Sequence, residues 1–368
     1  MKLVVFGLTM SSSWGNGHAT LWRALASALA RDGHRLVFFE HDVPYYAQHR
    51  DLVRMDGVEL VLYRSFDDVR GQAAAHLDGA DAAIVTSYCP DAQAATELSL
   101  ASNAAVKAFY DMDTGVTIER LEAGERVEYV PSGGLGGFDV VLSFVGGGAL
   151  EALVRQLGAR WAVPLYGSVD ADLYRPLQVP RTAHLSYLGT WAANRQKALD
   201  QLFLEPARRM PEHWFCIGGS QYPPDFPWEK NVRYVFHVPP PEHPAFYCSA
   251  HATLNVTRAP MARFGYCPSG RIFEAAACGI PVVTDAWEGI DTFFTPGSEI
   301  LVATSAEDVV DALCVGEGFL RRIGERARER ALDEHSGTAR ARELVHILDL
   351  ARARGTAPGV TALGGGRP

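Results

Sequence analysis

Short apolar runs alternate along the chain with longer segments in which apolar residues recur at helical spacing. The runs of strand length in the N-terminal half are residues 2–6, 34–40, 58–63, 82–86, 105–110 and 140–144. Between the first two runs, residues 19–31 repeat leucine and alanine at the spacing of one helix face. Because strands that alternate with helices form a mostly parallel sheet covered on both faces, this half is predicted to be an α/β domain.

A polar, proline-bounded segment then interrupts the alternation, which begins again after it. The later runs of strand length are residues 183–188, 214–217, 232–236, 252–256, 281–283 and 301–304, and helical spacing returns at 195–204 and 307–335. Two α/β units of similar size predict two facing Rossmann-like domains with parallel sheets and a cleft between them. The predicted divisions are domains at 1–165 and 177–335, a linker at 166–176, a closing helix at 336–353 and a flexible tail at 354–368.

Residues 264–289 combine the signals for a helix start, a helix stop and a strand. Ser269 is placed to cap the helix, and the free N–H groups of Gly270 and Arg271, with the helix dipole behind them, would suit an anion. Glu274, one turn further in, could accept both hydroxyls of a ribose. The same pattern is routine packing in α/β proteins, so by itself it only suggests a nucleotide diphosphate site.

Polar stretches follow several predicted strands of the N-terminal half. They are residues 11–18, 111–114 and 146–148. Because ligands of parallel sheets gather at the carboxyl ends of the strands, these stretches are predicted to meet at one cleft. Asp111 and Asp113 would also suit turn or cap chemistry, and His18 a surface position, so these alternatives stay open.

Gly15-x-Gly17 followed by Glu40 suggests a dinucleotide fingerprint, which has an acidic residue about twenty positions after the glycines. The fit is poor because the loop is too long for the tight turn of that motif. In addition, Thr20 stands where the third glycine should be. Nicotinamide binding is therefore a weak alternative.

The composition is that of an ordinary globular protein, with 48% apolar and 21% charged residues. The formal net charge of −9 argues against non-specific nucleic-acid binding. The six cysteines are scattered, without a Cys-x-x-Cys pair or metal-ligand spacing, which favours a reducing compartment. The first apolar run is too short for a signal peptide or a membrane span, so a cytoplasmic enzyme without a transmembrane segment is expected.

Four distinctive sequence motifs lie far apart along the chain. They are Ser-Ser-Trp-Gly-Asn-Gly-His-Ala-Thr at 12–20, Phe-Tyr-Asp-Met-Asp-Thr at 109–114, Tyr-Gly-Ser-Val-Asp at 166–170 with Tyr174 and Pro176, and Pro-Ser-Gly-Arg-Ile-Phe-Glu-Ala-Ala-Ala-Cys-Gly at 268–279 with Trp-Glu-Gly at 287–289. Together they resemble glycosyltransferases of the GT-B architecture, group 1, and most closely the CgeB-like branch. The resemblance extends from the N-terminus to about residue 335.

The resemblance implies a nucleoside diphosphate sugar held mainly by the C-terminal domain, and transfer in the cleft without a metal or a cofactor. The donor-binding residues it implies are Gly15, Gly17, Arg195, Lys197, Ser269, Gly270, Arg271 and Glu274. Candidates on the acceptor side, in the N-terminal domain, are Trp14, Asp111 and Asp113. The acceptor itself, whether a small molecule, a glycan or a protein, stays open, and nucleic acid is not expected as a partner.

The resemblance also suggests retention of configuration, with the leaving phosphate taking the acceptor proton. The catalytic residues are then predicted to be Arg195, which stabilises the departing diphosphate, and, for an inverting reaction that needs a base, His18 or Asp113. Tyr266 departs from the pattern, because many group 1 enzymes carry a glutamate at that position, eight residues before Glu274. The alternatives are a nucleotide-sugar 2-epimerase of the same fold and a catalytically silent nucleotide-sugar-binding protein.

Overall fold

The structure, a computed structural model, describes residues 1–356. It contains a seven-stranded sheet and a six-stranded sheet, and the strand pairs in both are parallel. Helices cover the sheets, so the two-domain α/β fold predicted from the sequence is confirmed. Most of the predicted tail, residues 357–368, lies outside the described residues.

The seven-stranded sheet belongs to the N-terminal domain. Its domain consists of β1 (Lys2–Gly7), α1 (His18–Arg31), β2 (Arg35–His41), α2 (Pro44–Ala47), β3 (Val58–Tyr63), α3 (Phe66–Leu77), β4 (Ala82–Thr86), α4 (Ala92–Ala101), β5 (Val106–Asp111), α5 (Thr114–Glu122), β6 (Val140–Ser143), α6 (Gly148–Leu157) and β7 (Ala162–Pro164). The strand order is β3-β2-β1-β4-β5-β6-β7. Leu3 and Val5 enter one hydrophobic core and Val4 and Phe6 another, because successive side chains of a strand point to opposite faces.

The six-stranded sheet belongs to the C-terminal domain. The elements after β7 are β8 (Ala183–Leu188), α7 (Ala193–Leu199), α8 (Glu205–Arg209), β9 (Phe215–Gly219), β10 (Val232–Phe236), α9 (His243–Cys248), β11 (Ala250–Asn255), α10 (Ala259–Ala262), α11 (Gly270–Ala277), β12 (Val282–Asp285), β13 (Leu301–Ala303), α12 (Ala306–Cys314), α13 (Glu317–Glu334) and α14 (Gly337–Thr356). The strand order is β10-β9-β8-β11-β12-β13. In both sheets the first strand in sequence lies near the middle of the sheet.

Two predicted helices are interrupted in the structure. The helix predicted at 307–335 is α12 and α13, separated at Gly316, which has a φ of 87° that favours glycine. The helix predicted at 195–204 is α7 followed by a π-helical turn at Asp200–Leu204. The three-residue β7 was not predicted, because so short a run carries little periodic signal.

The last helix, α14, returns to the N-terminal domain. Leu344 and Leu348 lie in the same core as Trp22 and Leu25 of α1. The chain passes between the domains twice, once near Val169 and once near His335. These two segments lie side by side, because the N–H of Val169 donates to the carbonyl of His335 at 3.0 Å. The predicted bounds of the domains and the division of ligands between them stay predictions.

The two domains touch through their loops and short helices. Gly115 in α5 lies against α10 so closely that a Cβ atom there would be 2.4 Å from the carbonyl oxygen of Pro260. The N–H of Gly146 donates to the carbonyl of Tyr266 at 3.0 Å. The interdomain cleft is therefore bounded on one side by direct backbone contact between the domains. None of the helices within residues 1–356 is long and apolar enough to cross a membrane.

Candidate active site

A cleft of about 450 Å³ opens between the carboxyl ends of the two sheets. From the N-terminal domain it is lined by the loop after β1 and by residues that follow β4 and β5. From the C-terminal domain it is lined by residues that follow β8, β9 and β11 and by the start of α11. Ligands of parallel sheets gather at this edge, so the cleft is the candidate active site.

The loop after β1 is fixed by Glu40 at the end of β2. The buried Glu40 carboxylate accepts hydrogen bonds from the Thr9 hydroxyl at 2.8 Å, the Met10 N–H at 2.7 Å and the Ser11 N–H at 2.9 Å. These contacts hold the loop so that residues 15–18 line the cleft. They also occupy the carboxylate that a dinucleotide fingerprint would offer to a ribose, which argues against the nicotinamide alternative.

A chain of three side chains, His18, Asp113 and Arg258, runs from the N-terminal wall of the cleft to the C-terminal domain. His18 Nε2 lies 3.1 Å from Asp113 Oδ2, and Arg258 Nη1 donates to Asp113 Oδ1 at 3.1 Å. Because an ionised carboxylate only accepts hydrogen bonds, Nε2 of His18 carries a proton in this pair. His18 Nδ1 is buried and has no hydrogen-bond partner among residues 1–356, so a neutral His18 keeps an unused lone pair there.

Asp111 supports this wall from behind. It is fully buried, and its Oδ1 accepts the N–H of Asp113 at 3.0 Å, whereas Oδ2 has no partner within the described chain. Burial raises the pKa of Asp111 to about 6, because the charged form is poorly solvated there. Asp111 therefore positions the main chain of Asp113 and does not itself line the cleft.

On the C-terminal wall, helix α11 begins at the cleft. The Ser269 hydroxyl accepts from the N–H of Arg271 at 3.4 Å, which is the capping bond that the sequence predicts. Ser269, Gly270 and Arg271 all line the cleft. The positive end of the helix dipole and the Arg271 side chain therefore face the same space.

Glu274, one turn into α11, is a buried carboxylate at the edge of the cleft. Its Oε2 accepts the Tyr247 hydroxyl at 2.9 Å and lies 3.7 Å from His243 Nδ1. Burial alone would raise the pKa of Glu274, but the nearby charges of His243 and Arg271 and the hydrogen bond from Tyr247 lower it overall. The site therefore keeps an ionised carboxylate next to positively charged groups.

Arg195 is a buried cation that faces the cleft. Its Nη2 donates to the Thr190 carbonyl at 2.7 Å, while its Nε has no partner, and no carboxylate of residues 1–356 pairs with it. Burial and the charges of Arg271 and Arg258 lower the pKa of Arg195. Because a buried charge without compensation costs free energy, this position favours an anion from outside the chain.

Solved glycosyltransferase structures share this two-domain arrangement. Sucrose-phosphate synthase (tll1590) from Thermosynechococcus elongatus is 14% identical, with a TM-score of 0.69 over 96% of this chain and 99% of that chain. HepE from Anabaena, in complex with UDP-glucose, is 14% identical, with a TM-score of 0.64 over 95% and 100%. An alpha-glucosyltransferase in complex with UDP-glucose and DNA containing an abasic site is 12% identical, with a TM-score of 0.67 over 95% and 99%. At these identities the likeness shows the fold, which is GT-B.

The sequence itself matches a protein family in its C-terminal part. Residues 195–346 match the family described as glycosyl transferase-like, which covers Arg195 and the whole of α11. The C-terminal part of the chain therefore resembles glycosyltransferases, and the chain as a whole has the GT-B fold. Membership of the CgeB-like branch stays a prediction, and no curated protein matches the chain significantly.

Most of the predicted site residues meet at the cleft. Those that line it are Gly15, Gly17, His18, Asp113, Arg195, Ser269, Gly270, Arg271 and Glu274. The structure brings them together from both domains, although their individual roles stay predictions.

Three predicted residues do not line the cleft. Lys197 is exposed on α7, two residues after the buried Arg195, and positions two apart on a helix face different directions. Trp14 stacks on His49, with ring centroids 4.1 Å apart. Asp111 lies behind Asp113, as described above. The structure therefore argues against direct ligand contact for these three.

The sequence analysis missed Arg258, His243 and Tyr247. Arg258 stands two residues after the strand predicted at 252–256, so its place near a strand end was the available signal. His243 lies in a proline-rich segment that the sequence suggests is a loop, and it begins α9. The glycine stretch 146–148 was predicted to reach the cleft, but it packs against the segment at Tyr266 instead.

Within residues 1–356, no three His, Cys, Asp or Glu side chains are arranged to hold a metal ion. Tyr266, at the position where many relatives have a glutamate, has a left-handed backbone with a φ of 46°. Its ring packs against Gly289, where a Cβ atom would lie 2.5 Å from Tyr266 Cδ1. Tyr266 thus has a packing role at the domain junction.

Proposed function

We propose that the cleft transfers a glycosyl group from a nucleoside diphosphate sugar to an acceptor. The observation that carries the proposal is the buried Arg195, which faces the cleft without a carboxylate partner in residues 1–356, close to the start of α11 and to the ionised Glu274. A diphosphate supplies the missing anion, and a ribose supplies hydroxyls for the carboxylate.

Arg195 and the first turn of α11 bind the diphosphate. As the bond to the sugar breaks, negative charge builds on the leaving diphosphate, and these groups already point toward that charge. The guanidinium of Arg195 can bind two phosphate oxygens at once, which orients the leaving group as well as neutralising it. Arg271 lies on the same wall and adds a second cation.

Glu274 binds the ribose. The Tyr247 hydroxyl holds its Oε2 in place by a hydrogen bond, which leaves the carboxylate edge toward the cleft for the diol. HepE and the alpha-glucosyltransferase are each described in complex with UDP-glucose, so a uridine diphosphate sugar is the first donor to test. The identity of the transferred sugar stays open, because no residue of this chain has been assigned to its recognition.

The acceptor binds on the N-terminal wall, with its reacting hydroxyl near His18 and Asp113. We favour retention of configuration, in which the leaving phosphate takes the acceptor proton and no protein base is needed. In that case His18 and Asp113 orient the hydroxyl. If configuration inverts, His18 is the better candidate for the base, because both oxygens of Asp113 are already engaged, whereas the buried Nδ1 of His18 has no partner among residues 1–356.

The first experiment is a thermal-shift screen of the purified protein with nucleotides and nucleotide sugars, with and without magnesium, and with nicotinamide dinucleotides. A ligand at 100 times its Kd that binds only the folded state adds about 2.7 kcal/mol of stability. Stabilisation by one family of nucleoside diphosphates without magnesium is the expected result. Stabilisation by nicotinamide dinucleotides alone, or by none of the ligands, would refute the donor site.

The second experiment follows the bound nucleotide sugar by proton NMR. With an acceptor panel present, the anomeric coupling constant of the product reports retention or inversion. An isomerised donor that forms without any acceptor would support the 2-epimerase alternative. Tight donor binding with neither transfer nor hydrolysis would support a catalytically silent protein. The expected cytoplasmic location and the absence of metal and nucleic-acid partners stay predictions.

A further inference from the structure

We propose that Arg258 is a positioning residue of the acceptor site, which completes the His18–Asp113 pair only when the two domains are closed. The proposal rests on the proposed glycosyl transfer. Arg258 comes from the C-terminal domain, between β11 and α10, and Asp113 from the N-terminal domain, between β5 and α5. The ion pair between them joins residues 145 positions apart, so it exists only while the domains are in contact.

Asp113 is unusual for an aspartate at the start of a helix. It stands at the N-cap position of α5, where an aspartate ordinarily accepts a backbone N–H of the first turn, but its side chain makes no such bond. Its two oxygens are divided instead between His18 Nε2 and Arg258 Nη1, each at 3.1 Å. The carboxylate is therefore oriented by one partner from each domain.

The ion pair is well shielded from water at the carboxylate. The Asp113 side chain is 17% exposed and that of Arg258 is 34% exposed. A partly buried ion pair of this kind is less screened than a surface pair, so losing Arg258 leaves Asp113 with a charge that only His18 can balance. An open cleft therefore leaves the Asp113 carboxylate, and the His18 ring that it contacts, without the partner that fixes their orientation from the C-terminal domain.

Other titratable groups also face the pair. Asp111 lies behind Asp113 on β5, the Tyr88 ring lies 5.6 Å from the His18 ring, and the Tyr129 phenol interacts with the charge of Asp113. All three belong to the N-terminal domain and keep their positions relative to the pair when the domains separate. Arg258 is the charged group that the C-terminal domain brings to Asp113 on closure.

The chain offers a matched control on the same two helices. Arg263, just after α10, pairs with Glu122, the last residue of α5, at 2.7 Å across the same interface. This second ion pair is more exposed, at 48% and 37% for its two side chains, and neither residue lines the cleft. Arg263→Ala therefore removes an interdomain ion pair without touching His18 or Asp113.

The test compares Arg258→Ala, Arg258→Lys and Arg263→Ala by the kcat and KM of UDP-glucose turnover, with released UDP as the readout. Arg258→Ala is expected to lower kcat by between about 10-fold and 100-fold, as a misplaced acceptor site does, with a smaller change in KM for UDP-glucose. Arg258→Lys should restore much of kcat because it keeps a cation beside Asp113, and Arg263→Ala should leave kcat near the wild-type value.

Three results would overturn the proposal. Equal losses of kcat in Arg258→Ala and Arg263→Ala would mean that Arg258 only holds the domains together. A large rise in KM for UDP-glucose with unchanged kcat would make Arg258 a donor ligand instead. A wild-type protein that neither binds nor hydrolyses any nucleotide sugar would refute the proposed function first, and this proposal with it.

Discussion

His18 Nε2 lies 3.1 Å from Asp113 Oδ2, although 95 positions separate the two residues in the sequence. His18 begins α1, after β1, and Asp113 precedes α5, after β5. Both loops leave the same edge of one parallel sheet, and the buried Glu40 holds the first of them in place. The sheet topology therefore creates a polar pair that neither loop could form alone.

Replacing Asp113 tests how the acceptor is activated. In a retaining reaction Asp113 orients the acceptor but does not remove its proton, so Asp113→Asn is expected to lower kcat by less than the roughly 10²-fold that marks the loss of a general base. The measurement is transfer rate together with the anomeric configuration of the product. A far larger loss with an inverted product would contradict retention and point to His18, held by Asp113, as the base.

Arg195 is predicted to act mainly on turnover. Arg195→Ala should slow kcat by about 10²- to 10³-fold, as expected when a preorganised group that stabilises developing charge is lost. Arg195→Lys should recover part of the rate, because it keeps the charge but cannot bind two oxygens in one plane. Steady-state kinetics of donor turnover measure both, and Lys197→Ala on the exposed side of α7 is the control, expected to be near wild type.

Glu274 is predicted to act mainly on donor binding. Glu274→Ala removes the proposed ribose acceptor and should weaken nucleoside diphosphate binding by roughly 10- to 100-fold, in line with the loss of a charged hydrogen-bond partner. Tyr247→Phe removes only the 2.9 Å hydrogen bond to Oε2 and should have a smaller effect. Calorimetric titration with UDP measures both. Unchanged affinity in Glu274→Ala would refute the ribose assignment, whatever its effect on rate.

The sequence predicted most strands, because parallel strands buried on both faces are continuous apolar runs. It also located Ser269 and Glu274, whose relationship is local: both lie on one short helix, so spacing alone places them on it. Arg258 could not be found in this way, because its role depends on how two separately folded domains meet. The sequence predicted Lys197 together with Arg195 as a donor-binding residue, because two basic residues close together on one helix do not reveal which of them faces the cleft. In the structure Arg195 lines the cleft and Lys197 does not.

The last prediction concerns stability and pH. His335, between α13 and α14, donates from Nε2 to the Phe293 carbonyl at 3.1 Å, and its Nδ1 has no partner in residues 1–356. Burial lowers the pKa of His335 from 6.5 to about 4. A histidine with a lowered folded-state pKa takes up its proton more readily when unfolded, so stability is lost as pH falls from about 6.5 to about 4.

At about 1.4 kcal/mol per pH unit, the gap between 6.5 and about 4 corresponds to roughly 3 kcal/mol. Urea unfolding at pH 7 and pH 4.5 measures the change. His335→Gln can keep the hydrogen bond to Phe293 through its amide but cannot titrate, so its stability should depend less on pH by about that amount. Buried Asp111 works in the opposite direction, since its pKa is raised and its contribution falls as pH rises. Asp111 is present in both the wild-type protein and His335→Gln, so its effect cancels when their changes in free energy of unfolding are compared. An equal pH dependence of the two proteins would show that His335 titrates normally in the folded state.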